Sequence, residues 1–182
     1  MNKTMTRRLA FVTVFTSACV ASRISMAALP NVTFVTFLTA ISGIIGGPMI
    51  GFLVGALSMF ASDSLFFSVG FWTLVTSSSM GLVGVISGML WSRRINNPPS
   101  KLELGVLGYL ITLMYDILTS LITLPILMHV VYSAPAATLY AISSLLIGLF
   151  LPLGGFLWPA GPVHEFITAI LLALATPAIL RR

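Results

Sequence analysis

Six side chains in this sequence could do polar chemistry in apolar surroundings: Arg23, Asp63, Tyr115, Asp116, His164 and Glu165. Each stands in or beside a run of hydrocarbon residues. A charge there is expensive unless it is paired or faces a polar cavity. Arg23 carries a planar fork that suits a carboxylate, a phosphate or an amide. Asn31, in the Leu29-Pro30-Asn31 break, and the ring pair Phe71-Trp72 stand at the ends of apolar runs. Trp72 and Tyr115 offer flat apolar faces with a polar tip, suited to a ring. The residue types therefore suit a pocket for a polar small molecule, with Arg23, Asn31, Asp63, Phe71, Trp72, Tyr115, Asp116, His164 and Glu165 as its expected substrate-binding residues.

Catalytic spacing is missing. The sequence has no G-x-x-x-x-G-K-[ST] phosphate loop, no H-E-x-x-H and no G-x-S-x-G. His164 and Glu165 are adjacent, which is the wrong spacing for a zinc helix, and His129 is far away in sequence. No catalytic residue, metal ligand or cofactor is expected. An intramembrane enzyme built from Asp63, Asp116, His164 and Glu165 is disfavoured, because these are spread over different segments with no recognised catalytic spacing. A second competing reading is a structural or assembly subunit whose buried charges only pair helices, such as Arg23 with Asp63 or Glu165.

The elements that must position these groups follow from composition. Hydrophobic residues make up 58% of the 182-residue chain and charged residues 7%. A soluble domain carries about 25% charged residues. So little charge cannot cover a water-soluble surface, and the chain reads as one integral membrane domain, 1–182. The net charge of +5 does not point to nucleic acid, since most cations sit at the ends of apolar runs. The single cysteine, Cys19, rules out a disulfide framework. The basic start resembles a signal peptide, but no cleavage is expected, because the runs that follow are themselves spans.

Apolar runs at 9–29, 32–45, 49–67, 71–91, 104–126 and 163–180 give six transmembrane helices, the second of them short. Pro30, Gly46-Gly47-Pro48 and Ser68-Val69-Gly70 separate the first four. Gly47, Gly51 and Gly55 recur every four residues, and Gly81, Gly84 and Gly88 lie along the fourth run, which points to close helix packing. With six spans and both termini cytoplasmic, Lys3, Arg7, Arg8, Arg93, Arg94, Lys101, Arg181 and Arg182 all fall on the cytoplasmic side. The apolar piece 136–157 then reads as a partly helical or re-entrant outer loop between spans five and six. In this frame Arg23, the histidine and three carboxylates converge on the outer half, as an outward-facing pocket requires. On the first span Ala10, Thr13, Ser17 and Ala21 share one helical face of small residues, an expected docking surface for a partner helix.

The order and spacing of several blocks resemble a known family. They are the basic start before a small-residue span, ALPNVTFVTFLTAISGIIGGPMIGFLVGAL, GFWTLVTSSSMGLVGVISGML, GYLITLMYDILTS, and GPVHEF before the terminal arginines. Together they are similar to the substrate-binding S components of energy-coupling factor (ECF) vitamin transporters, over nearly the whole chain. The Arg-then-Leu-Pro-Asn-Val block and the Gly-x-Trp-Thr opening look most like the cobalamin-type members. Those relatives usually carry a Gln after Trp-Thr and an Asn after the last-span His; here Thr76 or Ser77, and Phe166 or Ile167, stand instead. The resemblance implies a multi-pass plasma-membrane subunit that captures a water-soluble vitamin from outside. Cobalamin or a related micronutrient is favoured, with riboflavin, thiamine, biotin and pantothenate as alternatives. It also implies a transmembrane coupling protein and two ATPase subunits as partners, and no enzymatic activity of its own.

Overall fold

The computed structural model describes residues 3–29, 32–92, 94, 99–126 and 163–180. Asn31 and the expected outer loop 136–157 lie outside them. All regular elements among the described residues are helical: α1 (Lys3–Ser25), α2 (Val35–Gly46), α3 (Pro48–Ser62), α4 (Phe71–Trp91), α5 (Lys101–Ile126) and α6 (Val163–Leu180). A π-helical turn, Asp63–Phe67, continues α3. Four helical stretches are long and apolar enough to cross a membrane: Thr4–Ser25, Pro48–Phe67, Phe71–Trp91 and Lys101–Thr119. The helices mark the chain as a membrane protein whose described elements are all helical, and the remaining two helices are shorter than those four.

Local chemistry sets the element ends. The backbone N–H of Val35 donates to the Thr33 hydroxyl at 3.2 Å, just ahead of α2. The α2–α3 turn needs Gly47 at φ 89°, a left-handed conformation that glycine adopts without a Cβ clash. Pro48 follows at the first turn of α3, where its missing N–H costs nothing. The reversal after the π-turn runs through Ser68 at φ 67°. At the other end of α4, Ser100 caps α5 by accepting from the Glu103 N–H at 3.1 Å. That cap starts α5 at Lys101, three residues before the apolar run. Glu103 also accepts from the Trp91 indole at 3.3 Å and pairs with Arg94, which ties the α4–α5 connection.

The expected glycine packing is realised at Gly51, Gly55, Gly81, Gly84 and Gly88, while Gly47 has open space at its Cβ position and serves the turn instead. The α3–α4 contact is the most extensive in the bundle, and α2 packs on both. A Cβ on Gly51 would lie 2.5 Å from the Gly84 carbonyl oxygen, and one on Gly84 would strike the Gly51 backbone. The two backbones touch directly, which only glycine at both positions allows. Eight of the 12 residues of α2 are buried, so it is an interior element. At about 1.5 Å per residue its helix reaches about 18 Å, short of a hydrocarbon core. In α5 and α6 the contact is looser: a Cβ on Gly105 would sit 3.7 Å from that of Ala173, an ordinary packing distance.

This difference gives a paired prediction. Gly84→Ala must push α3 from α4 and should destabilise the protein by about 1–3 kcal/mol, read as a lower thermal midpoint in detergent. Gly105→Ala fits its space and should hold or raise the midpoint, since alanine is the better helix former. Equal midpoints for the two variants would remove the backbone contact as a determinant of the fold.

Candidate functional site

The polar residues gather at one end of the bundle, where α1 and α3 finish and α2, α4 and α6 begin. Asp63 opens the π-turn and is 1% exposed. Arg23, near the last turn of α1, donates from Nη1 to Asp63 Oδ1 at 2.6 Å and to the Ser62 hydroxyl. Thr73, in the first turn of α4, donates its hydroxyl to Asp63 Oδ2 at 2.8 Å. The same Thr73 oxygen accepts the Gly70 N–H at 3.2 Å, which caps α4. One carboxylate thus joins α1, α3 and α4. The π-turn also brings Phe67 beside Arg23, whose Cζ lies 4.6 Å from the ring centroid.

A second polar group joins the other three helices. His164 in α6 meets Asp116 of α5 through Nδ1 at 3.1 Å and Thr36 of α2 through Nε2 at 2.8 Å. One ring nitrogen thus faces a carboxylate and the other a hydroxyl. Tyr115 packs edge-on to this imidazole, ring centroids 6.1 Å apart and planes at 90°. Both nitrogens of the ring are therefore engaged, and its orientation is fixed.

Between the two groups lies a cavity of about 240 Å³. Arg23, Tyr115 and His164 line it, with Phe67, Met26, Met59 and Met80. Val32, Thr33 and Val35 close it from the α1–α2 side. Its lining mixes apolar and aromatic side chains with the polar groups of Arg23, Thr33, Tyr115 and His164. That arrangement suits a flat ring with a polar rim.

The expected site residues are therefore distributed unequally. Arg23, Tyr115 and His164 line the cavity, while Asp63 and Asp116 stand behind it as their partners. Glu165 is buried at 1% exposure beside His164. Phe71 and Trp72 pack edge-to-face, 5.7 Å apart, and Trp72 is 38% exposed over Gly70, away from the cavity lining. Asn31 lies outside the described residues. On α1, Ala10, Thr13, Ser17 and Ala21 are all exposed, and the Thr13 hydroxyl donates to the Leu9 carbonyl at 3.0 Å. The pairing of Arg23 with Asp63 that the sequence allows is present. Missing from the sequence reading are Ser62, Thr73 and Thr36. Hydroxyls in apolar helices read as packing residues, and only the position of Thr73, three residues after Gly70, carries a capping signal.

Removing part of the Asp63 network should show its hierarchy. Asp63→Ala leaves Arg23 without its charge partner and should cost on the order of 3 kcal/mol. Asp63→Asn should cost less, because the amide still accepts one hydrogen bond. Thr73→Val should cost least, about 1 kcal/mol. Thermal unfolding in detergent reads the order, and a Thr73→Val loss larger than that of Asp63→Ala would contradict it.

The family model for the S component of the ECF-type riboflavin transporter matches residues 3–149. No curated protein and no solved structure matches the chain. The cobalamin-type expectation finds no support in this match, which points to the riboflavin type instead. The Trp-Thr opening lies at the start of α4, where cap chemistry alone calls for the threonine, so it carries little about the vitamin. The positions where cobalamin-type relatives hold Gln and Asn had already departed from that pattern. By a match that covers most of its length, the chain belongs to the family of S components of ECF-type riboflavin transporters.

Proposed function

We propose that this protein is the riboflavin-binding membrane subunit of an ECF-type importer. The observation that supports it best is the coincidence of the family match with a ring-sized, aromatic- and methionine-lined cavity carrying Arg23 at its edge. Riboflavin is a flat tricyclic ring with a polar dione rim and a ribityl chain. The cavity lies at the end of the bundle away from Arg7, Arg8, Arg94 and Lys101. Cations collect on the cytoplasmic side, so the cavity faces outside and the subunit sits in the plasma membrane with several spans. Loading comes from outside. Inward release needs a transmembrane coupling protein and two ATPases, since the chain has no phosphate-binding loop. The exposed small-residue face of α1 is where that module packs.

Two measurements test this. Riboflavin titrated into the purified protein should lose fluorescence to saturation at one equivalent, and excess cobalamin or thiamine should not restore it. Tyr115→Ala should weaken binding about tenfold or more, since an aromatic wall is lost. Displacement by cobalamin, or no riboflavin binding, would defeat the proposal. Separately, replacing both Thr13 and Ser17 by Leu should abolish riboflavin uptake in cells carrying the ATPase module while leaving binding to the purified subunit unchanged. Loss of binding along with uptake would place that face in the ligand site rather than at the partner.

A further inference from the structure

The cavity wall divides its polar groups unequally. His164 lines it, but its Nδ1 is engaged by Asp116 at 3.1 Å and its Nε2 by Thr36 at 2.8 Å. The Asp63 carboxylate is engaged by Arg23 and Thr73, and that of Asp116 by His164. Among the described residues neither carboxylate lines the cavity. Arg23 differs. Its hydrogen bonds among the described residues both leave from Nη1, to Ser62 and Asp63. A guanidinium has five N–H donors in a rigid fork. The donors on Nη2 and Nε therefore remain on a residue that lines the cavity, and its Cζ lies 4.6 Å from the Phe67 ring centroid. A fork held from behind is pre-organised, so little entropy is lost when it binds.

We infer that Arg23 is the specificity-determining residue of this cavity, donating from Nη2 and Nε to the oxygen-bearing edge of a flat ring, with Asp63 and Ser62 as its positioning residues. This rests on the riboflavin reading and names the part of the ligand involved: the dione edge of the ring rather than the ribityl chain. Three physical arguments select that edge. The fork only donates, and carbonyl oxygens only accept. The carbonyl lone pairs lie in the ring plane, so they meet a planar fork edge-on, whereas a flexible hydroxyl chain gains little from fixed donors. The apolar surface around Arg23, from Met26, Met59, Met80 and Phe67, covers ring faces rather than hydroxyls. The same arrangement works against cationic rings, because the cavity lining includes an arginine and neither Asp63 nor Asp116.

The test compares ligands as well as variants. Riboflavin, 2-thioriboflavin, 4-thioriboflavin and lumiflavin are titrated into the purified full chain. Sulfur in place of a carbonyl oxygen accepts poorly, and lumiflavin keeps the ring but lacks the ribityl chain. At least one thio analogue should bind the wild type roughly tenfold or more weakly than riboflavin, as expected for a hydrogen bond from a charged donor. In Arg23→Gln that discrimination should shrink to about twofold or less. Arg23→Lys, which keeps the charge without the fork, should lose most of it too. Lumiflavin should lose as much affinity as riboflavin on Arg23→Gln. Asp63→Asn should reduce the discrimination in part, a change that a purely structural role would not produce. Failure of both thio analogues to discriminate in the wild type, or discrimination that survives in Arg23→Gln and Arg23→Lys, would overturn the inference while leaving riboflavin binding intact. An affinity loss for riboflavin but not for lumiflavin would assign Arg23 to the ribityl chain and overturn it as well. No flavin binding to the wild type would defeat both this inference and the riboflavin reading beneath it.

Discussion

A carboxylate with 1% exposure inside an apolar bundle dictates much of what surrounds it. Burying an ion costs several kcal/mol, and only close partners offset that. Asp63 obtains them from two other helices, Arg23 on α1 and Thr73 on α4. Each of those partners has consequences of its own. Thr73 cannot move without releasing the Gly70 N–H it caps, so the start of α4 is fixed. Arg23 cannot move without exposing Asp63, so the end of α1 is fixed. The π-turn belongs to the same constraint, because it carries Asp63 inward at one end and Phe67 onto the guanidinium at the other. Such single-turn π segments are frequent at functional sites.

The glycine contacts make that constraint possible. Helices α3 and α4 touch backbone to backbone at Gly51 and Gly84, with no side chain between them. At 1% exposure Asp63 has almost no access to solvent, so its pairing is made by protein groups. In a hydrocarbon setting packing and hydrogen bonds carry helix association, because lipid tails are as apolar as the side chains. The scaffold therefore combines one contact of each kind: glycine packing along the α3–α4 crossing and a polar knot at one end. On the opposite side of the cavity the His164, Asp116 and Thr36 group does the same for α6, α5 and α2.

How much of this could be read from the sequence follows from where each signal lies. Charges in apolar runs are costly, so Arg23, Asp63, Asp116 and His164 announced themselves, and they do fall together in space. The glycine spacing and the Gly47-Pro48 turn were legible for similar reasons, since few residues can replace them. Hydroxyl partners were not: Ser62, Thr73 and Thr36 look like many other small residues that only pack. The apolar lining was not legible either, because Met26, Met59 and Met80 carry no pattern that separates a cavity wall from a core. Trp72 is a different case. Its ring suits a ligand, but at the start of α4 it covers the turn at Gly70 and faces outward. The helix starts shifted as well. The run beginning at residue 9 became a helix from Lys3, since Lys and Arg are good helix formers and their exposure there costs nothing.

The sequence set two roles for Arg23 against each other, a tie between helices and a hand for the ligand. The geometry removes the opposition. Among the described side chains of α1 only Val12 and Cys19 are buried, and the Cys19 sulfur lies 4.0 Å from the Val35 carbonyl oxygen, a weak contact. Arg23 is accordingly a strong polar tie of this helix to the bundle. That tie uses one nitrogen, Nη1, and its partners lie behind the cavity wall. Arg23 itself is part of the wall. Pairing does not use the fork up; it aims it. A lysine in the same place would have to choose between the carboxylate and the cavity, because a compact ammonium on a flexible stem has no second, oriented set of donors. An arginine needs no such choice, which is a physical reason for this residue type at the one position where α1 meets both the buried carboxylate and the cavity.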